Sequence, residues 1–193
     1  MKSEGLMELE FHPLSPKRWQ EFETLFGPNG ACGGCWCLFW KKNRKQFQID
    51  AYDKVRLDQK HRVEKGSVPG IVAYDKGEPV GWCALEPREN SPALERSRIL
   101  KPVDNERDWS VTCSFVSRKF RRQGITVALL KEAVNFVPSK GGRVVEGYPV
   151  EVVGGKSAEA SRYTGTAAAY LRAGFVEVAR RSPRRPIFRD TIK

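Results

Sequence analysis

Apolar residues recur along the first part of the chain at helical spacing, and clusters of Gly and Pro mark where the pattern stops. Ser15-Pro16 is a typical helix start, and four apolar residues then fall on one face: Trp19, Phe22, Leu25 and Phe26. The residues at 27–30, Gly-Pro-Asn-Gly, end this helix. A weaker pattern predicts a second helix over 46–64, ended by Gly66 and Pro69.

The spacing then changes to that of β-strands. Ile71–Tyr74 and Pro79–Leu85 are apolar runs on either side of a short polar segment that contains Lys76-Gly77. Two such runs joined by a glycine-containing turn predict a β-hairpin. The charged stretch at 90–108 that follows, with Pro92 and Pro102, is predicted to be a long connection.

The stretch Trp109–Val137 has three parts. Trp109–Val116 reads as a buried strand, and helical spacing begins near Thr126, which we predict to be the N-cap. The connection between them is basic: Ser117–Lys131 holds five Lys or Arg residues and no Asp or Glu. Because Gly124 permits close backbone approach and a helix N-terminus favours negative charge, this connection is a candidate site for a phosphate or pyrophosphate.

The remaining elements complete a mixed α/β fold. The pattern predicts a strand over 143–150, a helix over 167–173, and a final pair of strands over 175–179 and 186–192. Helices first, then a hairpin and alternating strands and helices, indicate a mixed sheet flanked by helices. At 193 residues we expect a single domain, with a helical N-terminal part over 1–68 and a core over 69–193.

Composition and charge narrow the functional classes. The chain is 40% hydrophobic, and neither a membrane span nor the apolar core of a signal peptide is evident, so we expect a cytoplasmic protein. Its formal net charge of +11 favours binding to an anionic partner. Nucleic acid is one candidate, since the residues at 180–185 form a second basic run. No recognised nucleic-acid module accompanies that run, which favours a solvated turn.

The cysteines form no disulfide framework. Their number is five, and three of them, Cys32, Cys35 and Cys37, lie within six residues. A structural zinc site needs four ligands, usually in paired spacing, and no second motif supplies them. The segment reads instead as a close-packing region for Trp36, Phe39 and Trp40. We therefore expect reduced thiols and no metal.

Two motifs in the core resemble those of one enzyme family. The run V-S-R-K-F-R-R-Q-G-I-T is similar to the acetyl-CoA signature of the GNAT acyltransferases, Arg/Gln-x-x-Gly-x-Gly/Ala, with Arg121 and Gly124 at the first two defined positions. Thr126 departs from the final Gly/Ala. Downstream, Tyr170 to Phe175 resemble the family's Tyr-x-x-x-Gly-Phe. The resemblance covers about Pro69 to the C-terminus.

This resemblance implies a fold and a co-substrate. The fold would be a mostly antiparallel sheet that splays between the strands at 109–116 and 143–150, so that backbone groups in the gap bind the pantetheine arm of acetyl-CoA. The backbone that meets the co-substrate would then come from eight residues: Phe115, Val116, Arg121, Arg122, Gln123, Gly124, Ile125 and Thr126. An N–H near Phe115 or Val116 would bind the oxyanion.

The chemistry expected is acetyl transfer to a primary amine of a small molecule or peptide, by a monomer or homodimer. Tyr170 falls at the family's tyrosine position and is the candidate general acid for the departing thiolate, although a buried packing tyrosine is the alternative. Glu86 and Glu146 stand at predicted strand ends and are candidate bases. Two other functions remain open: a nucleic-acid-binding protein and a CoA-sensing module, each on a catalytically silent scaffold.

Overall fold

The computed structural model describes residues 7–42, 44–50, 52–152 and 163–192. Its strands are β1 (Leu9–Pro13), β2 (Gly70–Asp75), β3 (Glu78–Pro87), β4 (Asp108–Val116), β5 (Val144–Gly147), β6 (Val176–Arg180) and β7 (Pro186–Thr191). Its helices are α1 (Trp19–Phe26), α2 (Arg44–Ile49), α3 (Tyr52–Glu64), α4 (Pro92–Glu95), α5 (Ile125–Phe136) and α6 (Ala167–Ala173). None of the helices in these ranges is long and apolar enough to cross a membrane.

The seven strands form one mixed sheet in the order β1-β2-β3-β4-β5-β7-β6. All neighbouring pairs are antiparallel except β4 and β5, which are parallel. The predicted mixed α/β fold with a mostly antiparallel central sheet is therefore confirmed. The predicted hairpin is β2–β3, with Lys76 and Gly77 both at positive φ in its turn.

The two faces of the sheet carry separate cores. On one face α5 and α6 pack with Val111, Leu129 and Tyr170 at the centre. On the other face α1 and α3 cover an aromatic core that includes Phe22, Trp36 and Trp82. Strands β4 and β5 stand at the middle of the strand order, so a site between them lies at the middle of the sheet.

Several local predictions differ from the structure. The strand expected over 143–150 is the shorter β5, Val144–Gly147. The helix expected over 46–64 is two helices, α2 and α3, with Asp50 between them outside both. Strand β1 was not predicted, because its five residues lack strict alternation, and it pairs with β2 at the sheet edge. The connection at 90–108 contains α4, whose Leu94 is fully buried together with Leu100.

Candidate active site

The basic connection between β4 and α5 has the backbone form of an anion site. Gly124 adopts a left-handed conformation, with φ of 82°, and is the residue that precedes α5. The prediction of Thr126 as N-cap is wrong, because Ile125 is already helical and buried against the core. Ala128 N–H donates to the Gly124 carbonyl at 3.0 Å, so the N–H groups of 125–127 precede the first intrahelical bond.

Side chains around this turn are basic and exposed. Arg121 donates from Nε to the Val116 carbonyl oxygen at 3.1 Å, which ties the loop to the end of β4. Arg122 also lies at positive φ, 66°, so its backbone joins Gly124 in a concave turn. A β-carbon added at Gly124 would meet nothing within 4 Å, and the space above this backbone is open. The turn can therefore receive a phosphate group.

Strands β4 and β5 separate where the resemblance implied a gap. They pair over Asp108–Val111 and Val144–Gly147 and not beyond. Ser117 N–H donates to Val80 on the β3 side, whereas Ser114 N–H points to the β5 side. Because N–H directions alternate along a strand, the Val116 N–H faces the gap and the Phe115 N–H faces β3. Of these two candidates for an oxyanion donor, backbone geometry therefore favours Val116.

A segment just before α6, which we call the bridging segment (Tyr163–Thr166), crosses part of this gap. Ser114 N–H donates to the Tyr163 carbonyl at 2.5 Å, and Val150 N–H donates to the Gly165 carbonyl at 3.0 Å. Arg185 holds the segment from the β6–β7 turn by donating from Nη1 to Thr164 Oγ1 at 3.0 Å. Sequence periodicity contains no signal for this segment, since it belongs to no regular strand.

Tyr170 lies on the α5–α6 side of the gap with its side chain completely buried. Its ring packs against Phe175 and Phe188, with centroids 5.1 and 5.9 Å away. The hydroxyl has no hydrogen-bond partner within the described part of the chain. Burial raises the pKa of this phenol well above its ordinary value, so it carries its proton at neutral pH. A buried, protonated and unpartnered hydroxyl is suited to donate to a ligand atom.

Two glycines make room for this tyrosine, and sequence reasoning did not assign either to the site. A β-carbon at Gly147, the last residue of β5, would overlap the ring and the hydroxyl of Tyr170. A β-carbon at Gly165 in the bridging segment would lie 3.0 Å from Tyr170 Cε2. The available signal was a glycine inside a predicted strand, which often marks close approach of another group.

Glu86 is a buried carboxylate that lies between two cations, on the face of the sheet opposite to Tyr170. It is 6% exposed and forms an ion pair with Lys41 and another with Arg62 Nη2 at 2.6 Å. Burial lowers the pKa of Lys41, although its pairing with Glu86 opposes that shift. The two cations engage both oxygens of Glu86.

Glu146 belongs to the same layer of polar side chains. Register places Glu86, Ser110, Glu146 and Arg189 opposite one another across β3, β4, β5 and β7, and we call these residues the polar row. Glu146 is 1% exposed and pairs with Arg189 Nη2 at 2.9 Å. Tyr148, which leaves β5 beside the gap, lies 2.7 Å from Ser110 Oγ and 3.5 Å from Glu146 Oε1 through its hydroxyl. Hydrogen bonds thus link Ser110, in the paired part of β4, through the Tyr148 hydroxyl to Glu146.

Asp108 adds a carboxyl group that sequence reasoning missed. Burial and the negative charge of Glu146 raise its pKa to about 7, and Arg88, 3.9 Å away, only partly opposes this. Because the folded protein then binds a proton that the unfolded chain has lost, the free energy of unfolding should fall as pH rises from about 4 to about 7.

We expect this group to contribute a slope of up to about 1.4 kcal/mol per pH unit in that window. Asp108→Asn should flatten the slope and be more stable than wild type above pH 7. Glu146, Arg88 and Tyr148 surround Asp108 and stay unchanged in this variant. Chemical denaturation at a series of pH values measures the slope, and equal slopes in the two proteins would contradict the assignment.

The cysteine-rich segment packs as an aromatic support. Trp36 is 3% exposed and stacks on Phe26 at 5.4 Å, and Trp82 Nε1 donates to Cys37 Sγ at 3.1 Å. Burial raises the pKa of Cys37 well above its ordinary value, so the thiol is not ionised. Among the described His, Cys, Asp and Glu residues no group of three or more is arranged to hold a metal ion.

One surface cavity lies elsewhere, and none of the candidate catalytic or acetyl-CoA-binding residues lines it. It measures about 540 Å³ between α1 and α3 and is bordered by the Glu23–Arg56 ion pair and Trp36. The candidate residues lie instead on and beside strands β3, β4 and β5.

Comparison with known proteins gives one clear family. The sequence model described as the acetyltransferase (GNAT) family matches residues 34–149, which is more than half of the chain. No curated protein matches by sequence.

Solved structures show the same fold at low identity. An acetyltransferase of the GNAT family from Streptococcus agalactiae has a TM-score of 0.58 at 13% identity, with 96% of each chain covered. A GNAT-family acetyltransferase from Listeria monocytogenes has a TM-score of 0.57 at 12% identity, again with 96% of each chain covered. Arabidopsis thaliana NAA60, in complex with acetyl-CoA, has a TM-score of 0.51 at 14% identity, covering 96% of this chain and 100% of that one.

Proposed function

Because the chain belongs to the acetyltransferase (GNAT) family, we propose that it transfers an acetyl group from acetyl-CoA to a primary amine. The observation that carries this proposal is the conjunction of an open, basic helix N-terminus at Gly124 with the buried, unpartnered hydroxyl of Tyr170 at the same strand gap. The structure of a relative with the same fold in complex with acetyl-CoA supports the choice of co-substrate.

The pyrophosphate is placed at the turn before α5. The free N–H groups of 125–127, the left-handed backbone of Arg122 and Gly124, and the exposed guanidinium groups complement its negative charge. Gln123 donates to the Lys119 carbonyl at 3.3 Å and so stabilises the loop. The pantetheine arm then enters the gap along the β4 edge, where the Val116 N–H is available for the thioester oxygen.

Tyr170 is proposed as the general acid. The neutral amine attacks the thioester carbonyl carbon, the C–S bond breaks, and the thiolate takes the phenolic proton. Burial keeps that proton on the phenol until a strongly basic atom arrives, because the phenolate would be poorly solvated. A thiolate is a weaker base in water, where a thiol titrates near ~8.5, but the dry gap destabilises its charge as it does that of the phenolate and so raises its basicity.

The proton lost by the amine needs a path to a base. Glu146 is proposed as that base, because its Oε1 lies 3.5 Å from the hydroxyl of Tyr148, whose backbone follows β5 beside the gap. Glu86 is the second candidate, but its two ion pairs, with Lys41 and Arg62, engage both oxygens. A water chain along the polar row would serve either carboxylate.

Loop variants test the placement of acetyl-CoA. Arg121→Ala and Arg122→Ala should each weaken acetyl-CoA binding by ~1–3 kcal/mol, the range for charge-assisted hydrogen bonds. Gly124→Val should weaken it further, because a β-branched residue at a φ of 82° is strained and its side chain occupies the open space of the turn. The readouts are calorimetric affinity and the KM for acetyl-CoA in acetyl transfer to a panel of amines. Wild-type affinity in all three folded variants would refute the pyrophosphate assignment.

A further inference from the structure

Arg185 lies beside the gap, and its contacts bear on the choice of acceptor. Arg185, half-buried in the β6–β7 turn, donates from Nη1 to Thr164 Oγ1 at 3.0 Å and to the Tyr148 carbonyl at 3.2 Å. Both partners border the gap, since Thr164 lies in the bridging segment and Tyr148 follows the last residue of β5. Its guanidinium carbon also lies 6.0 Å from the centre of the Tyr163 ring.

Arg185 has no carboxylate partner in the described part of the chain, unlike the other arginines on this face. Arg62 pairs with Glu86, Arg88 with Glu95, and Arg189 with both Asp104 and Glu146. A guanidinium has five N–H donors, and the contacts of Arg185 with Thr164, the Tyr148 carbonyl and the Tyr163 hydroxyl leave donors for another oxygen. Such a group favours a carboxylate in bidentate geometry.

The carboxylates of the polar row cannot attract a second cation to this side. Glu86 is already flanked by Lys41 and Arg62, and Glu146 by Arg189 and by Arg88 at 3.7 Å. Arg88 and Arg189 also pair with Glu95 and Asp104, so these charges are matched, and Arg185 adds a cation that has no carboxylate partner among the described residues. A polycationic amine would meet repulsion here, whereas an amine that also carries a carboxylate would be attracted.

Aromatic surface lies beside the same guanidinium. Phe39 is 41% exposed, and its ring centre lies 6.0 Å from that of Tyr163 and 5.6 Å from that of Phe47. Exposed aromatic rings next to a cleft bind flat apolar groups by stacking and edge contacts. The cation and the aromatic surface together define a two-part acceptor surface, which consists of Arg185, Tyr163 and Phe39.

Resting on the proposed acetyl transfer, we propose that the acceptor is an amino acid with an aromatic side chain, whose carboxylate binds Arg185 and whose ring packs on Tyr163 and Phe39. The transferred group then goes to the α-amino nitrogen, which becomes an amide while CoA leaves as the thiol.

The test compares three matched acceptors at saturating acetyl-CoA: L-phenylalanine, its amide, and phenethylamine, which lacks the carboxylate. Release of CoA is measured for wild type, for Arg185→Gln and Arg185→Lys, and for Arg184→Gln. The last variant is the matched control, because Arg184 lies in the same turn with an exposed side chain. Rates are compared per fraction of neutral amine, and melting temperatures confirm that each variant is folded.

L-Phenylalanine should exceed both carboxylate-free amines in kcat/KM by about 10- to 100-fold. Arg185→Gln should remove that preference without changing acetyl-CoA affinity, Arg185→Lys should retain part of it, and Arg184→Gln should retain all of it. Equal or better turnover of the carboxylate-free amines would overturn the acceptor class and leave acetyl transfer standing. An unchanged preference for L-phenylalanine in Arg185→Gln would also overturn the acceptor class. If Arg185→Gln does not fold, an unchanged preference in Arg185→Lys would overturn it instead.

A binding measurement decides the case in which none of the three amines is acetylated. N-acetyl-L-phenylalanine and its amide are titrated into the CoA-saturated protein by calorimetry. Binding that needs the carboxylate, and is lost in Arg185→Gln, supports the acceptor class. Equal binding of the two, or no binding of either, overturns it, whereas failure of acetyl-CoA itself to bind overturns the proposed acetyl transfer.

Discussion

Tyr170→Phe is expected to lower kcat by ~10²–10⁴ while acetyl-CoA affinity stays near that of wild type. The substitution keeps the ring that packs against Phe175 and Phe188 and removes only the hydroxyl. Because that hydroxyl is buried and has no partner among the described residues, its loss should not destabilise the fold and should raise the free energy of unfolding by about 1 kcal/mol.

Tyr74→Phe is the control for a hydroxyl with a structural role. Tyr74 donates to Glu21 at 2.5 Å on the opposite face of the sheet, so its removal should cost about 1 kcal/mol of stability and leave kcat unchanged. Steady-state kinetics and chemical denaturation of both variants give the comparison. A Tyr170→Phe protein with less than a tenfold loss in kcat would show that water reprotonates the thiolate and that Tyr170 is a packing residue.

Gly147→Ala is expected to have an effect of similar size by displacing Tyr170. The added methyl group would overlap the Tyr170 ring and hydroxyl, and the ring packs among core residues, so that any shift of the ring disturbs their packing. We expect a loss of ~1–3 kcal/mol in stability from overpacking, and a loss of ~10²-fold or more in kcat, because the hydroxyl moves away from the gap.

Combining the two substitutions separates displacement from other damage. If Gly147→Ala acts through Tyr170, the double variant with Tyr170→Phe should be no slower than the slower single variant. Multiplication of the two rate losses would instead mean that Gly147 matters for another reason, such as backbone contact with the pantetheine arm. Single-turnover kinetics on the folded fraction of each protein provide these rates.

The sequence contained enough information to predict the layout of the core. The hairpin, strand β4, helix α5 and helix α6 were predicted within one or two residues, because periodicity and Gly or Pro punctuation are local signals. The gap between β4 and β5 followed from the family resemblance alone. Thr126 was misplaced as N-cap since glycine and threonine are both common there, and only the positive φ of Gly124 decides between them.

Contacts between distant segments could not be predicted from the sequence. The polar row joins residues from four strands, and register across strands is not encoded in any single one of them. Asp108 was overlooked because its shifted pKa arises from burial beside Glu146, which a sequence position does not reveal. Arg185 belonged to a basic run that resembled a solvated turn, and only its contact with the bridging segment distinguishes it.

The central claim is that acetyl-CoA binds at the turn before α5, and calorimetric titration of the wild-type protein with acetyl-CoA tests it most directly. The account predicts saturable one-to-one binding with a Kd at or below ~100 μM, and a Kd at least ~10-fold weaker in Gly124→Val. Binding that is saturable but unaffected by Gly124→Val would place acetyl-CoA elsewhere. No detectable binding by folded wild-type protein at ~100 μM acetyl-CoA would contradict the account as a whole.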